Sequence, residues 1–262
     1  MTVPEFRHRK SEGPPLVVLT AYDAVSASVA EAGGVDALLV GDSLGNVLLG
    51  FDSTLPVTMD DMLHHARAVG RARRRALLIA DMPWMSFHLE PTEAARNAAR
   101  FVREAGADAV KLEGGAKRLP AVRAILDAEI PVMGHLGLTP QSVLGMGGFK
   151  VQGRAEADAA RLVDDAGALA DAGVFAIVLE GMPPGVAERI TRAVAVPTIG
   201  IGAGPACDGQ VLVYHDLLGM LDGPSPKFVR RYEKIRERQI EAIERWAGDV
   251  RDRAFPSDKE GY

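Results

Sequence analysis

The stretch Pro91-Thr92-Glu93-Ala94-Ala95-Arg96-Asn97-Ala98-Ala99-Arg100-Phe101-Val102-Arg103-Glu104-Ala105-Gly106, with Asp108-Ala109-Val110-Lys111-Leu112-Glu113-Gly114 after it, decides how this chain is built. Proline behind Glu90 suits a first helical turn, and Gly106 stands where a helix stops. The next run is short and apolar and closes on an acid. In it Val110 and Leu112 alternate with Lys111 and Glu113, the period of a strand, so the charged pair shares one face. A helix delivering a short strand with an acid at its end is one unit of a repeat.

The repeat extends in both directions. Strand-length apolar runs occur at 16–22, 36–42, 76–84, 108–114, 131–137, 175–181, 197–204 and 210–216. Helical spacing fills 23–33, 58–74, 91–106, 116–128 and 155–173 between them. Thr58 before Met59-Asp60-Asp61 reads as a helix start with acids in the first turn, and Gly33 and Gly173 read as stops. Eight strands alternating with helices predict a parallel sheet closed into a (β/α)8 barrel, for which about 250 residues are typical. With 262 residues, the chain is expected to be one barrel domain over 1–262, with flexible tails at 1–13 and about 247–262. The last unit is irregular, since Gly204 and Gln210 stand too close for a crossover helix. Residues 226–246 read as a long final helix with Phe228, Tyr232, Ile235 and Trp246 on one face. A dinucleotide fold is disfavoured because Gly200-Ile201-Gly202-Ala203-Gly204-Pro205 lies late and carries proline where the third glycine belongs.

Composition narrows the function class. Hydrophobic residues make up 47% and the formal net charge is −5, so no nucleic-acid partner is expected despite the short basic run Arg71–Arg75. No apolar run approaches the ~18 residues of a membrane span, and the N-terminus lacks a signal peptide's apolar stretch. Cys207 is the one cysteine, which with the other features predicts a cytoplasmic protein in a reducing compartment.

Barrel enzymes carry their chemistry at the C-terminal ends of the strands. Here Asp42, Asp81, Glu113 and Glu180 each close a strand, and Lys111 shares the face of Glu113. Carboxylates converging in a low-dielectric mouth drive one another to take up protons, and a divalent ion removes that conflict. Oxygen ligands favour Mg²⁺, while the absence of a Cys/His cluster disfavours zinc. For each acid alone a polar strand terminus is the plainer reading; four at matching positions with a lysine favour a site. Lys111 is read as a cation for a substrate carboxylate, Ser43 as a hydrogen-bond donor beside Asp42, and His135 as a substrate-contacting or supporting residue. The glycine-rich segment 138–154, with Lys150 and Arg154, is placed to act as a lid or to bind a second substrate.

The strings Thr20-Ala21-Tyr22-Asp23, Val40-Gly41-Asp42-Ser43-Leu44-Gly45, Asp52-Ser53-Thr54-Leu55-Pro56-Val57-Thr58 and Val110-Lys111-Leu112-Glu113-Gly114-Gly115 resemble the ketopantoate hydroxymethyltransferase family. So do Gly134-His135-Leu136-Gly137-Leu138-Thr139-Pro140-Gln141-Ser142, Lys150-Val151-Gln152-Gly153-Arg154 and Asp208-Gly209-Gln210. The resemblance implies a barrel of the phosphoenolpyruvate/isocitrate lyase superfamily, assembled as a homodecamer. It implies transfer of a one-carbon unit from 5,10-methylenetetrahydrofolate to 3-methyl-2-oxobutanoate, giving 2-dehydropantoate for pantothenate through a metal-stabilised enolate. It places Asp42, Asp81 and Glu113 on magnesium, Asp42, Ser43, Asp81 and Lys111 on the keto acid, and Glu180 as proton acceptor. The alternatives are a carbon–carbon lyase or mutase of the same superfamily, which needs no folate, and a non-catalytic ligand-binding barrel.

Overall fold

Eight runs of Val, Ile, Leu and Ala form the strands β1 (Leu16–Thr20), β2 (Ala37–Val40), β3 (Leu77–Asp81), β4 (Ala109–Glu113), β5 (Val132–Gly137), β6 (Ala176–Glu180), β7 (Thr198–Ile201) and β8 (Gly209–Leu212) in a computed structural model describing residues 1–262. Each pairs in parallel with its sequence neighbour, and β8 returns to β1 with Leu16 opposite Gly209, closing the barrel. The helices are α1 (Val3–His8), α2 (Ala24–Ala32), α3 (Leu44–Val47), α4 (Met59–Ala72), α5 (Pro91–Ala105) and α6 (Leu119–Asp127), then α7 (Val143–Met146), α8 (Glu156–Ala172), α9 (Pro184–Ala193), α10 (Tyr214–Leu217) and α11 (Ile235–Arg251). The (β/α)8 barrel expected from the alternation is the observed fold. Between β7 and β8 no helix forms, as the short spacing required.

Alternation within each strand sorts the interior into levels. Ala37, Leu39, Leu77, Ile79, Ala109, Met133, Ala176, Val178, Ile199 and Val211 make one buried apolar cluster inside the barrel. Two residues further along the same faces come Asp81 after Ile79, Lys111 after Ala109, His135 after Met133 and Glu180 after Val178, with Glu113 two beyond Lys111. The period of two therefore sets an apolar floor beneath a charged mouth.

The segment read as an N-terminal tail carries a helix. Residues 1–13 contain α1, whose Thr2 side chain accepts from the Glu5 backbone while the Glu5 carboxylate accepts from the Thr2 backbone. Phe6 is fully buried, joins the apolar cluster and meets the Phe175 ring edge-on at 5.6 Å. Lys10 then donates to Thr191 O at 2.6 Å and to Asp208 at 2.8 Å. Ring burial and a part-buried ion pair hold the segment against the bottom of the barrel.

The chain forms two compact units, 1–213 and 214–262, where one span was expected. In the second, helix begins at Ile235 and not near Pro226, because the backbone of 232–236 is engaged elsewhere: Tyr232, Ile235 and Arg236 donate to the carbonyls of Leu217, Leu218 and Gly219. Residues 214–216, expected to finish β8, begin α10, and α11 carries the helix through Arg251, into the expected tail.

Glu31, in the last turn of α2, locks that helix to the start of β3. Its buried carboxylate accepts from the backbone N–H groups of Arg74, Arg75 and Ala76 at 2.6–3.0 Å. Burial pushes its pKa up, but the three backbone donors outweigh that and hold it below the ordinary glutamate value. A depressed carboxylate contributes stability that is complete above its unfolded pKa and lost as pH falls through the folded one. Replacing Glu31 with Ala is expected to cost about 1.5–3 kcal/mol at pH 7, since one buried and two part-buried backbone donors lose a charged acceptor. Urea unfolding at pH 7 and pH 3.5 checks it: the deficit should shrink at the lower pH.

Candidate active site

The mouth of the barrel holds a cavity of about 130 Å³ bordered by Asp42, Ser43, Asp81, Lys111, Glu113, His135 and Glu180. The seven residues predicted for metal, keto acid and proton transfer all lie in this one lining, while Lys150 and Arg154 of the segment 138–154 do not. Asp42 and Ser43 come from the turn after β2, Asp81 from the end of β3, Lys111 and Glu113 from β4, His135 from β5 and Glu180 from the end of β6. The β5–β6 approach depends on Gly137, whose φ is +96° and where a Cβ would fall 2.2 Å from the Glu180 carbonyl. Leu138 N–H donates to that carbonyl at 2.8 Å.

Asp42, Asp81, Lys111, Glu113 and His135 are each at most 4% exposed. Lys111 Nζ lies 2.8 Å from Asp81 Oδ1, an ion pair off hydrogen-bond alignment, and 3.3 Å from His135 Nδ1. His135 Nδ1 is 3.5 Å from Glu113 Oε1, and its Nε2 is 3.2 Å from Glu180 Oε2. The Asp42 backbone N–H points at Asp81 Oδ2 at 3.5 Å, which brings the two acids side by side.

These charges perturb one another. Burial raises the Asp42 pKa well above the usual carboxylate range, and neighbouring Asp81 and Glu113 raise it further against Lys111. Asp81 is also raised by burial, although Lys111 opposes it. Burial works against the Lys111 ammonium, but Asp81, Glu113 and Asp42 overcome it and push its pKa up. His135 is pushed up to about 9: burial and the Lys111 charge resist, while Glu113 and Glu180 prevail.

Two contributors escaped the sequence reading. Gln141 is buried and donates through Nε2 to Asp42 Oδ2 and to Met82 O, both at 2.9 Å, while its backbone N–H donates to Glu113 at 3.0 Å. Thr54 lines the cavity with its buried hydroxyl unpartnered. Thr54 lies in a loop and Gln141 in the single 3-10 turn 140–142, where no periodicity marks a buried side chain. Ser43, expected to bond Asp42, pairs instead with the Tyr22 hydroxyl at 2.9 Å.

No three His, Cys, Asp or Glu side chains converge as a ready-made metal cage. Mg²⁺ does not require one, because it keeps several waters and uses one or two carboxylates. The donor set fits an ion of that kind. Four acidic side chains face one ammonium and one imidazole there, an excess of oxygen donors that a divalent cation can use.

The ketopantoate hydroxymethyltransferase family model matches residues 1–258. A 3-methyl-2-oxobutanoate hydroxymethyltransferase of Moorella thermoacetica is 53% identical over 262 residues, covering 100% of this chain and 97% of that one. One from Methylobacterium sp. (strain 4-46) is 57% identical over 261 residues, covering 100% and 90%. Among solved structures, 2,3-dimethylmalate lyase, a PEP mutase/isocitrate lyase superfamily member, superposes with a TM-score of 0.60 at 18% identity over 99% of this chain and 91% of that one. That likeness concerns the fold.

Proposed function

The chain belongs to the ketopantoate hydroxymethyltransferase family, and on that premise we propose that it transfers a one-carbon unit from 5,10-methylenetetrahydrofolate to 3-methyl-2-oxobutanoate, yielding 2-dehydropantoate for pantothenate synthesis. The observation that carries the reading is the mouth itself, where carboxylates, an ammonium and an imidazole from five strand ends border one small cavity. A cytoplasmic homodecamer is part of the same proposal, as is one barrel domain as the catalytic body.

Asp42 and Asp81 would hold a divalent ion with Glu113 behind them. When bound, that ion supplies positive charge beside the keto oxygen and so acidifies the neighbouring C3–H bond. The protein's own groups do the rest. Lys111, kept protonated by its three acids, and Ser43 hold the substrate carboxylate and fix its orientation. Glu180 stands on the β6 side of the cavity, apart from the Asp42–Asp81 pair, and accepts the C3 proton. His135, 3.2 Å from Glu180, orients that carboxylate toward the cavity. The carbanion formed at C3 then attacks the one-carbon unit, whose bonds to the folate nitrogens break while water supplies the oxygen of the new hydroxymethyl group, so that tetrahydrofolate leaves; Gln141 keeps Asp42 in place throughout.

Purified protein given Mg²⁺, the keto acid and methylenetetrahydrofolate should form 2-dehydropantoate. A lyase or mutase of the same barrel would turn over without folate, and a binding barrel would show no C3–H exchange in D₂O. Either result overturns the proposal. A second outcome concerns the ion. Because the Asp42 pKa is raised, binding a cation must displace a proton, so affinity should rise with pH. Calorimetric Mg²⁺ titrations across a pH series should show binding that tightens as pH rises, with proton release at the acid end. An affinity that does not change with pH would remove Asp42 from the ion's ligands.

A further inference from the structure

The catalytic cavity is too small for both substrates. Its volume is about 130 Å³. That suits a compact branched keto acid and lies below the roughly 300–1,000 Å³ of pockets for larger ligands. The reacting atoms must nonetheless approach to about 3–3.5 Å. A fused-ring donor therefore has to lie on the rim, against residues that border the cavity and also face outward.

Two lining residues are exposed, Asn46 and Phe149. Asn46 stands on the β2 side, its Nδ2 donating to Phe51 O at 2.8 Å. Phe149 is the one aromatic ring other than His135 in the lining, yet it is 60% exposed. The turn before it is built for presentation. Gly147 and Gly148 have φ of +64° and +114°, and a Cβ on Gly148 would meet nothing within 4 Å, so that glycine serves the backbone path and not a packing need. Leu144 and Val151 of the same segment are 76% and 43% exposed, so the segment shows an apolar surface to the outside.

We infer that Phe149 is the stacking platform for the flat pteridine ring of the one-carbon donor. The inference rests on the function proposed above. Its ring borders the space where the keto acid's C3 must lie, so a heterocycle stacked on it has its reactive edge at the opening. The apolar face offers dispersion to any π-surface, and Asn46 Oδ1, across the opening, is available to accept from a ring N–H. Stacking of a heterocycle on an aromatic side chain carries enough affinity to show in steady-state constants.

The full-length protein, F149A, F149W and L144A are compared in two assays: transfer with methylenetetrahydrofolate, and C3–H exchange of the keto acid in D₂O without donor. In F149A the donor KM should rise about 5- to 100-fold while exchange falls far less, and F149W should restore the donor KM. L144A, outside the cavity, controls for loop disturbance and should move neither. A donor KM within twofold of the parent in F149A, an equal loss of exchange, or an altered subunit number would overturn the assignment. Exchange without transfer in the parent protein would instead sink the proposed function, and this inference with it.

Discussion

Glu180→Gln is expected to lower C3–H exchange and transfer by about 10²- to 10⁴-fold, the usual contribution of a positioned general base, while the keto acid binds within about twofold of the parent. The substitution keeps the shape of the side chain and an oxygen toward His135 Nε2, 3.2 Å away. It removes the basicity and one negative charge. Lys111 and Ser43 reach the cavity from β4 and from the turn after β2, so the groups proposed to hold the substrate carboxylate are untouched. Exchange isolates the step because it needs neither the donor nor product release. Calorimetry with the keto acid gives the binding side. Should exchange persist at the parental rate, the proton leaves to another group and Glu180 is not the base.

The site was legible in the sequence where strand periodicity speaks and silent elsewhere. Asp81, Lys111, Glu113, His135 and Glu180 occupy strand ends, so parity with Ile79, Ala109, Met133 and Val178 assigns them to the barrel interior before any contact is known. Asp42 follows the end of β2, and its position was legible from the same strand boundary. Gln141 was not, because an amide in a single turn becomes a site residue only through three long-range hydrogen bonds. Nor was the pairing of Ser43 with Tyr22, a contact across two connections of different strands.

The fold shows the same division. Eight strands and their order follow from the recurrence of one unit. The register of α1 could have been found, since Thr2-Val3-Pro4-Glu5 carries a Thr and a Glu at capping-box spacing with proline in the first turn. Its basic neighbours and short length masked that signal. The break before Ile235 had no local cause to find: the helix is delayed by backbone bonds to 217–219, which the side-chain pattern of 226–246 does not report.

Lys111→Met should have the largest effect on stability as well as removing activity. In the parent, the ammonium lies 2.8 Å from Asp81 and is enclosed with three carboxylates, all at most 4% exposed. Removing one partner of a buried pair leaves the other charge uncompensated, at a cost of about 3–5 kcal/mol. The pH dependence separates this cause from simple cavity formation. Asp42 and Asp81 already have raised pKa values, and loss of the cation raises them further. A carboxylate whose folded pKa lies above its unfolded value binds more protons when folded, so stability falls as pH rises between those two values. The deficit of the methionine variant should therefore be large at pH 8 and smaller at pH 5.5. Lys111→Arg, which retains the charge, should show a smaller deficit and little of that slope. Mg²⁺ should stabilise the methionine variant more than the parent, because it then replaces the lost ammonium beside Asp42 and Asp81. Thermal melts at the two pH values, with and without the ion, measure all three effects. A deficit that is the same at pH 5.5 and 8 would mean that packing around the lysine stem, and not the clustered charge, holds this part of the barrel together.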